Sequence, residues 1–428
     1  MGISRRNVLK GAALAAGGGF LLNPGVLRAK TGSLLPASKG NRVVIVGGGW
    51  AGVTTARNLL QANSKAEVVL IEKNALFMSC PMSNLFIGGM MSLNELQFEY
   101  SNVAAQGVEV ILETVLGVDR DKRVLETSGG SIAYDYLVLA PGIDYKWESV
   151  QGLWEARNHI PIAFKPGAEH VMLKRQLDNF EDGNLVVGIP KGPIRCPPGP
   201  YERVAMLAHH LKKNKLKAKL IVLDANPKPM AKPDGFLNAY KELYGDIVEY
   251  VGGSAVESVD HNKKVIRHSV GEVKYAMANI IPEMKAGALV ELAGVNEGAW
   301  APINSKTFQS TKDARVFIAG DAIGGQPFPK SGFMANSIGK ALARQVAAIM
   351  TGKDPSVPSM SNICYSTVEG TTAPVGLAID VAHAFEYVAA ENKWNAKSTS
   401  RQERSADIAK SGREWARGIW FELFGDHS

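Results

Sequence analysis

Cysteine is scarce in this chain, with three residues among 428, at positions 80, 196 and 364. None of them sits in a C-x-x-C-H arrangement, which excludes a covalently held c-type haem on this polypeptide. Long apolar runs are missing as well. The stretch Gly11 to Leu22 has twelve residues, four of them glycine, whereas crossing about 30 Å of hydrocarbon takes roughly 20 apolar residues, so no membrane anchor is expected. Acids are absent from the first 40 positions, which carry Arg5, Arg6, Lys10, Arg28, Lys30 and Lys39. These six bases account for six of the seven formal positive charges, so a chain beginning at Asn41 carries about +1 and a nucleic-acid role loses its main support. The remaining basic run, Lys212, Lys213, Lys215, Lys217 and Lys219, reads as a solvated helix end and loop. Low-complexity sequence is also rare, and 46% apolar content in a chain of this length implies a globular protein of two or three domains.

The first 40 residues read as a signal and linker. Ser4-Arg5-Arg6-Asn7-Val8-Leu9-Lys10 followed by the short apolar run has the form of a twin-arginine export signal. It predicts passage of a folded, cofactor-loaded protein to the periplasm. No clean small-x-small cleavage site follows, and processing is expected near Ala29 or somewhat later.

The chain is organised around Arg42-Val-Val-Ile-Val46, an apolar strand that can be covered on both faces, and the turn that follows it. Gly47, Gly49 and Gly52 have the G-x-G-x-x-G spacing. The first glycine makes the tight turn, the second lets a pyrophosphate approach bare backbone, and the third lets the next helix sit close to the strand. The helix N-terminus then faces the phosphates. A second apolar strand, Glu67 to Ile71, ends in Glu72, placed to accept from a ribose hydroxyl.

Beyond a Met- and Gly-rich loop, Met78 to Gly89, strands are expected at Val110 to Leu112 and, around the turn at Asp119, from Gly117 to Leu125. Another, Tyr134 to Ala140, closes on Pro141-Gly142. The series then recurs. Val118-Asp119-Arg-Asp-Lys-Arg-Val124 matches Val259-Asp260-His-Asn-Lys-Lys-Val265, with Tyr134 and Tyr275 following at the same distance. The offset of 141 residues lays Asn184 to Val187 over Val43 to Val46 and Gly188 over Gly47, which predicts two successive βαβ units. In the second copy Pro190 and Pro193 stand where Gly49 and Gly52 stand in the first. A proline-rich loop, Gly192 to Arg203, has few free N–H groups for a phosphate, so a second nucleotide is disfavoured.

Past the repeat, Ala314 to Ala319 forms a strand followed by Gly320-Asp321, and a small-residue helix opens at Gly332 and runs to Met350. Asp321 is a candidate for the ribityl chain of a flavin, with the helix N-terminus facing the flavin's electron-rich end. The expected fold is α/β. Two Rossmann-like βαβ domains of glutathione-reductase type are followed by a C-terminal interface domain. The first, FAD-binding, comprises 41–160 and 281–350; the second, without a nucleotide fingerprint, comprises 161–280; the interface domain comprises 351–428.

Taken together, the signal, Gly47 to Gly52, the Met78 to Gly89 loop with Cys80, Arg195-Cys196-Pro-Pro-Gly-Pro-Tyr-Glu202, Asn279 to Gly287, Gly320-Asp321 and the late Cys364 resemble the flavoprotein subunit of flavocytochrome c sulfide dehydrogenase. The likeness covers nearly the whole chain. It implies FAD bound covalently through Cys80, a redox disulfide between Cys196 and Cys364 beside the flavin, an acid at Glu202, a separate c-type cytochrome subunit as partner in a heterodimer, and sulfide as substrate. No metal site is expected. On the residues alone, a buried apolar Cys80 and a structural Cys196–Cys364 bridge stay open.

The chemistry is consistent with that resemblance. Hydrosulfide is a soft nucleophile that attacks a disulfide sulfur and expels a thiolate. Glu202, six residues past Cys196, can exchange protons there or serve as a surface acid at a helix start. The aromatic tail, Trp415, Trp420, Phe421 and Phe424, can wall the flavin, meet a partner or pack a helix. Two other readings remain beside the cytochrome-linked one: a sulfide:quinone oxidoreductase, and an accessory flavoprotein that supports a periplasmic sulfur-oxidation pathway. An NAD(P)H-dependent disulfide reductase is weakened by Pro190 and Pro193.

Overall fold

The computed structural model describes residues 32–372 and 374–425; the twin-arginine stretch around Arg5 and Arg6 lies outside them. The strand Arg42–Val46 is buried along its whole length. It sits between the parallel strands Glu67–Glu72 and Tyr136–Leu139. Glu109–Leu112 extends the sheet on one side. Asp313–Ile318, parallel, and then Gln309–Ser310, antiparallel, complete six strands on the other. Continuous Val, Ile and Leu runs form these strands because both faces are covered. The helix Trp50–Ala62 lies against the helix Gly332–Met350. Their approach is close because Gly339 has no side chain: a Cβ there would press on Thr54 and the Ala51 carbonyl. Asn336 Nδ2 also donates to Thr54 Oγ1 at 3.0 Å across the contact.

The 141-residue repeat is present in three dimensions. A second parallel sheet orders Val248–Gly252, Lys217–Asp224, Asp182–Ile189 and Met277–Ile280. The antiparallel meander Val115–Asp119, Val124–Thr127, Ser131–Ala133 recurs as Val256–Asp260, Val265–His268, Gly271–Lys274. The short strands Ile143–Tyr145 and Met284–Ala286, themselves 141 positions apart, pair antiparallel with Asp144 opposite Lys285. The two halves are thus stitched together about a local pseudo-two-fold axis.

Within the Met78 to Gly89 loop the structure holds one helical turn, Ser83–Ile87, entered through Met82 in the left-handed region at φ 71°. After Met350 the chain forms a long antiparallel meander, Ser361–Glu369, Leu377–Val388 and Lys393–Ser405, and the helix Ala406–Phe424. That helix folds back on the first sheet domain. Trp415 stacks between Trp50, with centroids 5.8 Å apart, and Phe333 at 5.3 Å, while Phe424 lies 4.5 Å from Phe77 and 5.1 Å from Phe98. Of the four tail aromatics, Phe421 is the one that faces solvent. No helix among the described residues is long and apolar enough to cross a membrane.

Candidate active site

A cavity of about 1020 Å³ opens at the C-terminal ends of the first sheet's strands and reaches the second domain and the C-terminal meander. Gly47, Gly49, Glu72, Cys80, Cys196, Glu202, Asp321 and Cys364 all line it. The sequence had scattered them over nearly 320 positions. Gly52 stands just behind the wall.

The glycine turn fits a dinucleotide in detail. Gly47 has φ +109°, and a Cβ on Gly52 would run into the Gly47 carbonyl, so both positions are closed to side chains. At Gly49 the space is open, which is what a phosphate approaching the backbone needs. The helix Trp50–Ala62 has no side-chain cap and no acid in its first turn, leaving its N–H groups and positive dipole end for an anion. Glu72 is fixed by three donors: the Gly48 amide at 2.7 Å, the Asn74 amide at 2.8 Å and Asn74 Nδ2 at 2.6 Å. Its carboxylate therefore braces the turn from which a ribose would be held.

The second copy shows why the same plan fails there. Gly188, the counterpart of Gly47, lies inside the strand Asp182–Ile189. Nine residues, 190–198, then separate strand from helix, where three (47–49) do so in the first copy. The strand-end acid, Asp224, is fully buried and accepts from Tyr201 Oη at 2.8 Å, Tyr250 Oη at 2.6 Å, and the amide and side chain of Asn226. No lone pair is left for a ribose.

The long loop instead delivers Cys196 to the first domain's cavity. Cys196 has φ +51°; its amide donates to the Lys330 carbonyl at 2.5 Å, and its carbonyl accepts from the Gly199 amide at 2.6 Å. It precedes the helix Gly199–Lys213 by three residues. Cys364 comes from the meander strand Ser361–Glu369 on the opposite side, where Asn362 Nδ2 donates to its sulfur at 3.3 Å. Neither cysteine of the pair is bridged, and Cys80 is free as well. Burial raises both thiols above the ordinary range; Cys364 and then Glu202 add to the rise at Cys196, while at Cys364 the Asn362 hydrogen bond and then Lys232 oppose it, and Lys232 pulls Cys196 down as well.

Glu202 joins the two cysteine-bearing elements. Its Oε2 accepts from Asn84 Nδ2 at 2.8 Å, and its Oε1 accepts from the Thr367 amide, three residues past Cys364, at 2.7 Å. Burial raises its pKa, opposed by those two hydrogen bonds and by Lys232 and Arg203. Asn84 also donates to the Gly199 carbonyl at 3.1 Å and accepts from Arg203 Nε at 3.0 Å. It ties the Cys80 loop to the Cys196 helix.

Asp321 does not face the cavity free. Its Oδ2 accepts from Arg195 Nε at 2.8 Å, and Arg195 Nη1 reaches the Phe164 carbonyl at 3.1 Å and Cys80 Sγ at 3.7 Å. Burial raises the Cys80 thiol, against the pull of Arg195 and then Arg203. Arg195, the residue before Cys196, thereby links the Cys196 loop to Asp321 and Cys80.

Several residues of the site were not singled out in the sequence. Arg203 is buried without a carboxylate partner among the described residues; it donates to the carbonyls of Ile162 and Ala163 and to Asn279 Oδ1, and burial lowers it to about 10. Lys330 is buried over the Trp300 ring at 3.6 Å and holds the carbonyls of Asp321 and Ile323. His170 is fully buried on the cavity wall, with no hydrogen-bond partner for either ring nitrogen among the described residues. Lys232 is buried between the two cysteine elements. Arg203 and Asn279 lay within recognised motifs, and only a fold could pair them.

Comparison with known proteins agrees with this geometry. Residues 41–181 match the family described as pyridine nucleotide-disulphide oxidoreductase. Residues 170–282 match the one described as sulfide dehydrogenase [flavocytochrome c] flavoprotein chain, central. The chain is 24% identical over 343 residues to the mitochondrial sulfide:quinone oxidoreductase of Mus musculus, spanning 77% of this chain and 76% of that protein. It is also 24% identical over 347 residues to the sulfide-quinone reductase of Aquifex aeolicus, spanning 75% and 80%. The crystal structure of the sulfide:quinone oxidoreductase from Aquifex aeolicus superposes with a TM-score of 0.73 at 19% identity, over 90% of this chain and 92% of that one. With its two repeated parallel-sheet units and glycine cradle, the chain has the Rossmann-like α/β fold of the FAD/NAD(P)-disulfide oxidoreductases.

Proposed function

We propose that the chain is the flavoprotein subunit of a periplasmic sulfide dehydrogenase that binds FAD, covalently through Cys80, oxidises sulfide to sulfur or polysulfide at Cys196 and Cys364, and delivers electrons singly to a c-type cytochrome subunit. The observation that carries this reading is the convergence of the glycine cradle, Cys80, Cys196, Cys364 and Glu202 on one cavity. The match of residues 170–282 to the flavocytochrome c central description, and relatives named for sulfide oxidation, support it.

The residues divide the work. Gly47 to Gly52 and the uncapped helix behind them hold the pyrophosphate, and Glu72, Asp321 and Arg195 lie along the rest of the cavity. FAD supplies a two-electron acceptor that can give its electrons up one at a time. At a Cys196–Cys364 bridge, hydrosulfide bonds to one sulfur, the S–S bond breaks and its electron pair leaves on the other cysteine as thiolate; the attacked cysteine carries the persulfide. Glu202, with its raised pKa, sits between the two cysteine elements and is suited to take and return the proton of the incoming sulfur. Asp224, already fully engaged, speaks against NAD(P)H as the electron source.

A quinone acceptor is the second reading, favoured by the names of the relatives. Against it, Trp415, Trp420 and Phe424 are packed into the protein, so the tail helix has spent its apolar face internally. Purified protein should reduce cytochrome c on addition of sulfide, and the flavin colour should stay with the polypeptide after denaturation. Reduction of a soluble quinone alone would refute the cytochrome reading; release of free flavin would refute the bond to Cys80. If Cys196→Ser abolishes sulfide oxidation while support of a sulfur-oxidation pathway persists, the accessory role stands instead.

A further inference from the structure

Lys232 is a buried ammonium without an ion-pair partner among the described residues, placed behind both cysteines. It is the residue before the helix Pro233–Tyr244 and holds a left-handed backbone at φ 53°, a conformation that is strained for a non-glycine residue. Its side chain is 3% exposed. Lysine is almost never buried so fully without a paired charge. The three N–H donors of Nζ go to the Cys364 carbonyl at 2.9 Å, Ser366 Oγ at 2.7 Å and the Ile379 carbonyl at 3.4 Å, so its hydrogen bonds are met while its charge is not.

The charged and titratable groups facing it come from every element packed around it. Cys196 and Glu202 belong to the 190–213 loop and helix; Cys364, Asp380 and His383 belong to the meander. Asp380 is already paired with Arg401, and Glu202 is held by Asn84 and Thr367. The Phe236 ring, 5.5 Å away, closes the apolar side. That leaves Glu202, whose bonds come from neutral donors, and the two sulfurs as the groups able to carry a negative charge opposite the ammonium, and of these it is Cys364 whose own carbonyl the ammonium holds.

We infer that Lys232 is a positioning residue that holds the Cys364 sulfur as a thiolate, supplying the counter-charge when the cysteine pair is reduced. The inference rests on Cys196 and Cys364 being the reactive pair. Burial that lowers Lys232 to about 8 and raises the thiols is the expected setting for such mutual dependence: each charge is costly alone and stabilised by the other. At neutral pH the ammonium then favours the electron pair leaving on Cys364 rather than on Cys196, whose sulfur keeps the persulfide.

The test uses flavin-loaded, full-length protein carrying Cys196→Ser, reduced, with the rate of Cys364 alkylation by iodoacetamide followed against pH. Adding Lys232→Met should move the alkylation midpoint up by at least one pH unit and slow the reaction at pH 7 by tenfold or more; Lys232→Arg, which keeps the charge, should move it far less. Unchanged midpoints in Lys232→Met, or equal shifts in Met and Arg variants, would overturn the inference. If Lys232→Met does not retain flavin, Lys232→Gln provides the same comparison with a polar side chain. Alkylation needs no sulfide turnover, so an absent sulfide activity in the protein that keeps Cys196, with a shifted midpoint in the Cys196→Ser series, would remove the proposed function and leave the charge coupling between Lys232 and Cys364 standing.

Discussion

His170 offers a quantitative test of the site's electrostatics. It is fully buried, and desolvation, reinforced by Arg203 and Arg195, holds its pKa at about 3 against an ordinary 6.5. As pH falls below 6.5 the unfolded chain binds this proton and the folded one does not, so stability declines from pH 6.5 down to about 3 and then levels off. At about 1.4 kcal/mol per pH unit, His170 alone removes about 3 kcal/mol between pH 7 and pH 4. His170→Leu abolishes that proton uptake and also removes two ring nitrogens that have no partner among the described residues, a change that is close to neutral or stabilising when an apolar group of similar size takes the place. Urea unfolding of both proteins at pH 7 and pH 4 should therefore show the variant gaining about 3 kcal/mol on the parent over that interval. Parallel pH dependence in the two proteins would refute the reasoning and mean that His170 is protonated, or reaches water, in the folded state.

Two further outcomes bear on the scaffold of the site. Gly52→Ala places a methyl against the Gly47 carbonyl; the turn must open, and flavin incorporation into the newly made protein should fall at least tenfold while overpacking costs about 1–3 kcal/mol. Full flavin content would show that the cradle is not where the pyrophosphate lies. Asn84→Ala leaves Glu202 Oε2 and Arg203 Nε without their partner, and because both groups are charged and buried the loss should reach about 3–5 kcal/mol in urea unfolding at pH 7. A loss under about 1 kcal/mol would mean that water replaces the amide.

What could be read in the sequence was local or periodic. The 141-residue repeat set strand positions in both halves: Ile143–Tyr145 and Met284–Ala286 keep the offset, and Gly47 and Gly52 mark a turn whose contacts only glycine tolerates, with Gly49 leaving open space between them. What could not be read was the pairing of groups far apart in the chain. Arg195 with Asp321 is a contact across 126 positions, Asn84 with Glu202 across 118, and Lys232 with Ser366 across 134. Nothing in the neighbourhood of Asp321 shows that a guanidinium will occupy it, and its expected bond to a ribityl chain must share the carboxylate with Arg195. Buried polar groups find partners wherever the fold brings them, so their chemistry is set by topology rather than by motif.

The contrast between the two repeats explains how one scaffold comes to bring both a glycine cradle and the Cys196 loop to one cavity. In the first copy a three-residue turn leaves the helix N-terminus bare. In the second, the strand runs through Gly188 to Ile189, Tyr201 and Tyr250 take the strand-end acid, and the nine-residue loop has room to carry Cys196 out of its own domain. A loop so long has no phosphate to order it, and other contacts do so: Cys196 is pinned through its amide to Lys330, Arg195 through its guanidinium to Asp321, and the following helix through Asn84 and Glu202 to the Cys80 loop and the Cys364 strand. Every one of those anchors lies in the first domain or the C-terminal meander. Lengthening one βα turn thereby replaces a second glycine cradle with a loop that carries Cys196 to the neighbouring domain's cavity, and the closing of the second cradle and the placing of Cys196 are one structural difference.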